Sequence, residues 1–346
     1  MNTTATDYAL NPDLLDSLNV GRVFNDNTAQ ITSLDFDDTG DLLITASDDE
    51  TLRIYDCLTG TSKGVLNSKK YGCTLARFTH RATSVIYAST KDDDSIRYLS
   101  VHDNKFLRYF KGHNRRVTSL ELNPRDDTFI SASEDRTVRV WELRQAGPIG
   151  TLNLEGKRTD PVVAYEHTGI AFALGIEGHI KLFEMRKWKT GPFKEFAVPG
   201  DPYLTPWTSI RFSNNGKFMM ITTGTVIYIM DAYHGAHVCT LEGIENPAGV
   251  AIPAGFTADA RFCYSGDYFF YTFLVRKGDF PAQGRTGKNR YSDSVSLSGS
   301  ANGPIRFWKL EGGGECIAKL TASKAPTKLV EFNPKYLMFA SADSSL

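Results

Sequence analysis

Hydrophobic and polar positions alternate with a period of two over short runs in this chain, and the runs recur as a unit. Ile31 to Phe36, Leu42 to Ser47 and Thr51 to Asp56 form one set, each bounded by Gly, Asn, Asp or a similar turn former. Val117 to Leu122, Thr128 to Ser133 and Thr137 to Glu142 form a second. Trp207 to Phe212, Lys217 to Thr223 and Val226 to Asp231 form a third. Such alternation marks short, half-buried antiparallel strands.

The last apolar residue of each first strand falls at Phe36, Phe78, Leu122, Tyr165, Phe212, Phe256 and Phe332, with gaps of 42, 44, 43, 47, 44 and 76 residues. The third-strand position falls at Tyr55, Leu99, Trp141, Phe183, Met230 and Trp308, with gaps of 44, 42, 42, 47 and 78. A four-strand unit repeating every ~40–45 residues is the signature of a β-propeller. The expected fold is all-β, a seven-bladed WD-repeat propeller whose N-terminal strand, Val20 to Phe24, closes the last blade. Blades are expected at about 31–66, 72–110, 117–152, 162–198, 207–241, 249–320 and 327–346 plus 20–24, behind an N-terminal tail at 1–19. Only two strands precede Leu346 in the last repeat, so this blade reads as one strand short.

Both long gaps fall in repeat six. The excess lies near Asp267 to Gly299, apolar at first (Phe269 to Val275) and then carrying Arg276, Lys277, Arg285, Lys288 and Arg290. It reads as a partner-binding loop, a structureless surface loop, or an intron translated within the gene. A loop of this length is uncommon in a compact domain.

Composition narrows the function. The 346 residues carry 39 basic and 40 acidic side chains, a formal charge of −1, so no overall field draws the chain to DNA or an anionic membrane. Cys57, Cys73, Cys239, Cys263 and Cys316 are scattered without a C-x-x-C pair and read as reduced core thiols of an intracellular protein. No apolar run is long enough to span a bilayer.

Repeat three holds the fullest polar pattern. His113, Ser131 or Ser133, Asp135 and Trp141 are expected to form one buried hydrogen-bonded chain, with Ser133 the preferred serine. The Ser, His and Asp resemble a nucleophilic triad, but their blade-building spacing and the indole favour a structural role. No catalytic residue, metal ligand or cofactor site is expected. His234 and His237 lie on a turn without a further ligand. Gly312 to Gly314 reads as a hairpin turn, and Asp92 to Asp94 as a solvated turn. A propeller enzyme would need several inward-pointing acids, bases or metal ligands near one mouth, which the sequence does not display. The stronger surface candidates are Lys69, Lys70 and Tyr71 after blade one, and Arg115 and Arg116 between blades two and three. Together they are expected to make a basic, aromatic-edged site for an acidic or phosphorylated peptide.

A family resemblance adds to this reading. Ser68-Lys-Lys-Tyr-Gly72, Ile96-Arg-Tyr-Leu-Ser100, His102-Asp-Asn-Lys-Phe-Leu-Arg-Tyr-Phe110, Asp126-Asp-Thr-Phe-Ile-Ser131, Gly191-Pro-Phe193, Phe212-Ser-Asn-Asn-Gly-Lys217, Asp231-Ala232 and Phe332-Asn-Pro-Lys335 occur in that order. The chain resembles, from about residue 14 onward, the WD-repeat subunit shared by the Set-one/COMPASS histone lysine methyltransferase complex and the fungal cleavage and polyadenylation factor. The resemblance implies a nuclear, non-catalytic scaffold supporting methylation of lysine four of the third histone. It also implies roles in mRNA 3′-end processing and transcription termination. Implied partners are a SET-domain methyltransferase and other COMPASS subunits, cleavage and polyadenylation factor with its phosphatase subunits, and the phosphorylated RNA polymerase II tail. The insert at 267–299 and the missing last strand depart from the family pattern. An adaptor of a ubiquitin ligase or signalling complex would share the fold, and a propeller enzyme is the remaining alternative.

Overall fold

A strand that is apolar on both faces needs cover on both sides. The second strand of blade one, Leu42–Ser47, and of blade three, Thr128–Ser133, are buried from their second residue onward. By contrast the fourth strands, Thr61–Asn67 and Lys105–Phe110, are largely exposed. Burial therefore falls outward across each sheet, as it must when sheets are packed face to face around an axis. The computed structural model describes residues 10–198, 206–224, 226–241, 251, 253–266, 273–276, 305–310, 314–320 and 329–342.

The chain is an all-β propeller. Six four-stranded blades are each built from one repeat, with first strands Ile31–Phe36, Thr74–Phe78, Val117–Leu122, Val162–Tyr165, Trp207–Phe212 and Ala254–Phe256. Six is one fewer than the seven expected, because among the described residues the last repeat supplies only Leu329–Phe332 and Met338–Ala342. These two strands belong to a composite sheet. Its third strand is Phe273–Arg276, from within the insert, and its fourth is Val20–Val23. Val275 pairs with Phe339 on one side and with Val20 on the other. The N-terminal strand thus lies in the expected sheet but one place further out, joined to the last repeat only through the insert strand. The remainder of the insert, with Lys277, Arg285, Lys288 and Arg290, lies outside the described residues, as do Gly312 and Gly313.

Each core cluster straddles two neighbouring sheets. Ile44 and Ile54 of blade one meet Ala76 and Val85 of blade two, and Ile86 and Phe110 of blade two meet Leu120 and Trp141 of blade three. The pattern continues through blades four, five and six. Blade six then packs on Val330, Phe332 and Phe339 of the composite sheet, whose Met338, Ala340 and Ala342 pack on Ile31 and Leu34 of blade one. The circle of contacts closes. Residues 10–18, expected as part of a tail, join it: a short helix, Pro12–Asp16, capped by Asn11, helps bury Leu10, Leu15 and Leu18 against blade six. Each such side chain contributes on the order of 2 kcal/mol on burial.

Turns between first and second strands add a polar belt. Asn123 Nδ2 donates to Gly169 O (3.2 Å), Asn214 Nδ2 to Ala258 O (3.2 Å) and Asn333 Nδ2 to Gly40 O (2.7 Å), each reaching the next sheet. Gly40 has φ +74°, and a Cβ there would lie 2.3 Å from the Asn333 side chain, so glycine is required on both counts. His80 spans three blades: Nδ1 lies 2.8 Å from Asp38 Oδ2, and Nε2 lies 2.9 Å from Asn123 O.

Both His80 ring nitrogens face acceptors, so the doubly protonated imidazolium satisfies both. Although partial burial opposes it, the bonds to Asp38 and the two blade-three carbonyls raise the His80 pKa above its ordinary value. A raised histidine pKa contributes stability that is fully present below about pH 6.5 and is lost as pH rises through the folded value. Urea unfolding of the parent and of His80→Gln between pH 5.5 and 8.5 should show a stability difference that shrinks as pH rises. A difference that grows or stays level would contradict the bridging role.

Candidate interaction surface

The polar chain of blade three forms with Ser131 in the place expected for Ser133. Trp141 Nε1 donates to Ser131 Oγ (2.8 Å), which contacts His113 Nε2 (2.7 Å), while His113 Nδ1 reaches Asp135 Oδ2 (2.9 Å). Ser133 has different partners. Its hydroxyl donates to Arg115 O (2.9 Å) and accepts the Asp135 N–H (3.1 Å). Ser131 and Ser133 are two residues apart on one strand and point to the same face. Burial pushes the Asp135 carboxyl up, but bonds from Thr137, His113 and the Asn114 N–H outweigh it and hold the carboxyl at about 2. Burial lowers the His113 pKa against the pull of Asp135. A neutral ring donating from Nδ1 and accepting at Nε2 completes the chain.

Ser131, His113 and Asp135 have the connectivity of a Ser-His-Asp triad. Ser131 is 0 % exposed, however, and the Trp141 indole holds its oxygen, so no substrate atom reaches it. The arrangement shapes the blade.

Related positions carry different chemistry in the neighbouring blades. In blade one Asp49 repeats the Asp135 turn, accepting from Thr51 N (3.0 Å) and Thr28 N (3.1 Å). Asn27, Thr45 and Tyr55 there stand in for His113, Ser131 and Trp141, each 86 residues earlier. In blade two Tyr87 bonds Ser68 (2.9 Å).

Ser68 starts the first candidate loop. Lys69 and Lys70 are exposed and Tyr71 is half-buried. Tyr71 is clasped between cations: the buried Arg97 guanidinium lies 3.3 Å from its ring centroid and Lys70 Nζ 4.9 Å. Phe106 meets Tyr71 edge-on at 5.9 Å and Tyr109 at 5.3 Å. A bulge near Leu107, where Leu99 pairs with Phe106 and Tyr98 with Arg108, turns Phe106 and Tyr109 toward this one cluster. Arg97, Phe106 and Tyr109 were not singled out as site residues from the sequence. The signal was present, since the Ser68, Ile96 and His102 stretches that carry the family resemblance all converge here.

Arg115 and Arg116 are exposed on the corresponding loop between blades two and three. Both loops connect a fourth strand to the next first strand and so lie at the same end of the propeller. The turn bearing Asp92, Asp93 and Asp94 comes between them, tied to the first loop by Thr90 N and Lys91 N donating to Tyr71 O (3.0 and 2.8 Å). Asp93 pairs with Arg97 (2.8 Å), and Asp94 lies within electrostatic range of His113.

Charged residues do point inward, contrary to expectation. The penultimate residue of the first strand is Asp35, Arg77, Glu121, Arg211 or Glu331 in five sheets, and Ala164 or Gly255 in two. Arg77 bonds Leu34 O (3.3 Å) and Glu121 (3.4 Å), while Arg211 meets both oxygens of Glu331 (2.8 and 2.6 Å). These side chains line cavities of about 220 and 170 Å³ on the axis. Burial pushes the Asp35 carboxyl up to about 7 against the pull of Arg77 and the Phe78 N–H. The serines lining this space are engaged, Ser33 with Ala76 N (2.9 Å) and Ser209 with Thr222 (2.6 Å). The Arg77, Arg211 and Ser33 contacts join neighbouring or next-neighbouring sheets, whereas Ser209 and Thr222 lie within blade five. Gly255 makes room for the Tyr264 ring, whose hydroxyl accepts the Phe332 N–H (3.1 Å) and anchors the composite sheet.

The remaining candidates have local partners. His234 Nδ1 lies 3.3 Å from Asp231 and His237 Nε2 2.9 Å from Thr240. Among the described residues no group of His, Cys, Asp and Glu is arranged to hold a metal ion. All five cysteines are free, four of them buried.

Fold, repeat spacing and blade networks define a WD-repeat propeller protein. The model of the WD domain, G-beta repeat, matches residues 19–56 and 104–142. The chain is 37 % identical over 332 residues to WD repeat-containing protein 82 of Drosophila melanogaster, covering 95 % of this chain and 93 % of that protein. It is 40 % identical to Set1 complex component swd2 of Schizosaccharomyces pombe over 67 % of this chain and 66 % of that one. With COMPASS component SWD2 of Saccharomyces cerevisiae identity is 33 %, over 91 % and 89 %. The chain belongs to the WD-repeat family that contains WD repeat-containing protein 82 and the swd2 components.

Replacing Ser131 by Ala leaves the buried Trp141 N–H and His113 Nε2 without their shared partner, at a cost of about 1–3 kcal/mol. Ser133→Ala should cost less, since the groups it serves lie nearer the surface. Urea midpoints of the two variants test this. A larger loss for Ser133→Ala would return the network to that residue.

Proposed function

We propose that the chain is a non-catalytic scaffold subunit of a nuclear Set1/COMPASS-type complex, supporting methylation of lysine four of the third histone by a separate SET-domain subunit. The observation that carries this reading is similarity over nearly the whole chain to COMPASS component SWD2, together with 40 % identity to Set1 complex component swd2. The triad-like residues of blade three support a non-enzymatic role, because packing consumes them. A second association, with the mRNA cleavage and polyadenylation machinery, its phosphatase subunits and transcription termination, follows from the sequence resemblance. In this proposal the composite sheet serves as the seventh blade, which gives a closed platform.

Partner contact is assigned to the end of the propeller that carries Lys69, Lys70, Tyr71, Arg115 and Arg116. The acidic turn between the loops makes two separate footholds, each suited to a carboxylate, a phosphoserine or the phosphorylated polymerase tail. Tyr71, clasped by Arg97 and Lys70, adds a rigid ring to the first.

Affinity purification of the tagged protein from nuclear extract, with companions identified by mass spectrometry, tests the assignment. A SET-domain methyltransferase should be recovered. Charge reversal at Lys69, Lys70, Arg115 and Arg116 should lower that recovery roughly tenfold while leaving circular dichroism unchanged. Recovery of ubiquitin-ligase or signalling partners alone would refute the complex assignment, and undiminished recovery by the variant would refute the footholds.

A further inference from the structure

Among the described residues the two most exposed large hydrophobic side chains are Tyr233, at 75 %, and Phe193, at 61 %. Both sit on connections between third and fourth strands, Phe193 in blade four and Tyr233 in blade five. Antiparallel topology puts these connections at the opposite end of the propeller from Lys69 and Arg115.

Tyr233 is held firmly despite its exposure. Lys194 Nζ donates to its carbonyl and lies 5.0 Å from its ring centroid. Asp231 Oδ1 accepts the Tyr233 N–H (2.8 Å), and the turn rests on Phe196, which packs under Gly235. The blade-four connection is braced as well. It contains a single helical turn, Trp188–Thr190, whose buried indole fills the space beside Gly150 of blade three, where a Cβ would lie 1.9 Å from the ring. Phe193 N donates to Leu182 O (2.9 Å).

This connection is strongly basic. Arg186, Lys187 and Lys189 are exposed within four residues. Lys187 pairs with Glu184 at 3.4 Å, whereas Arg186 and Lys189 have no carboxylate within ion-pair distance among the described residues. Asp231 is occupied by its own turn. Lys189 Nζ lies 5.5 Å from the Trp188 ring centroid. The corner thus joins projecting aromatic rings, exposed cations without a carboxylate partner among the described residues, and a backbone that needs no ordering on binding, the combination that makes interface anchors.

We propose that this corner of blades four and five is a second docking surface, and that its occupant is an acidic segment of a partner protein carrying at least one apolar side chain. Charge complementarity selects that occupant. A second copy in a two-fold contact would bring the same cations face to face. A nucleic acid would find, among the described residues, only two cations here without a carboxylate partner, in a chain of formal charge −1. The site lies at the far end from the footholds, so one partner can be held at each end. The proposal does not depend on which complex the protein serves.

The probe is a fluorescein-labelled peptide of about 12 residues, glutamate throughout except for one phenylalanine and one leucine, followed by fluorescence anisotropy. Full-length protein should bind it, and about 0.5 M salt should weaken binding. Tyr233→Ala and Lys189→Glu should each reduce affinity by about fivefold or more, and Tyr233→Phe should restore it. Thermal melting of all three variants should match the parent, since neither side chain is buried. Three results would overturn the proposal: equal binding by parent and Tyr233→Ala, tighter binding of a lysine-substituted peptide or an oligouridylate, or a dimer in sedimentation that Tyr233→Ala dissolves.

Discussion

A propeller sheet cannot bury its own faces, so it is stable only where a neighbour covers it on each side. Here every core cluster is shared by two sheets, and the contact that matters most is where the last meets the first. Met338, Ala340 and Ala342 cover Ile31, Leu34 and Tyr55 there, while Asn333 reaches Gly40 and the Tyr336 hydroxyl reaches Asp41 at 2.8 Å. Without that seam, blade one would expose an apolar face and the stack would be an open solenoid.

The polar interior serves the same end. Inward charges on the first strands are matched across blades, Arg77 with Glu121 and Arg211 with Glu331. Arg211 of blade five reaches Glu331 of the composite sheet, two sheets on. Leaving any of these part-buried charges alone would be costly, so the pairs constrain how blades sit more than they add net stability. The blade-three chain from Trp141 to Asp135 works similarly within a sheet. With its chemistry committed to architecture, the molecule presents function on its loops, which a rigid scaffold holds in register.

Much of this was legible in the sequence because the repeat is a physical period. Strand ends at Phe36, Phe78 and Leu122 mark where each chain segment turns, and Asp49 and Asp135 mark the tight turn between second and third strands. Other features depend on choices that periodicity does not make. Ser131 and Ser133 share a face, so spacing alone could not say which one meets Trp141. The inward charges were visible as the residue before each strand-end marker, but only the ring places them around one axis. The third strand of the composite sheet comes from an insert that breaks the period, so no repeat marker could assign it. Leu10, Leu15 and Leu18 lie before the first repeat, and their burial follows from the tertiary surface of blade six. Arg97, Phe106 and Tyr109 come together through a bulge, a local irregularity with no compositional signature.

Native-state hydrogen exchange tests the closed ring most directly, with amides followed strand by strand in low denaturant. If the composite sheet closes the ring, amides of Val20–Val23 and Met338–Ala342 should exchange in the same global opening as those of Ile31–Phe36. Exchange of Met338–Ala342 through a separate, low-energy opening, while Ile31–Phe36 stays protected, would show that blade one is stable without that neighbour and would contradict the account.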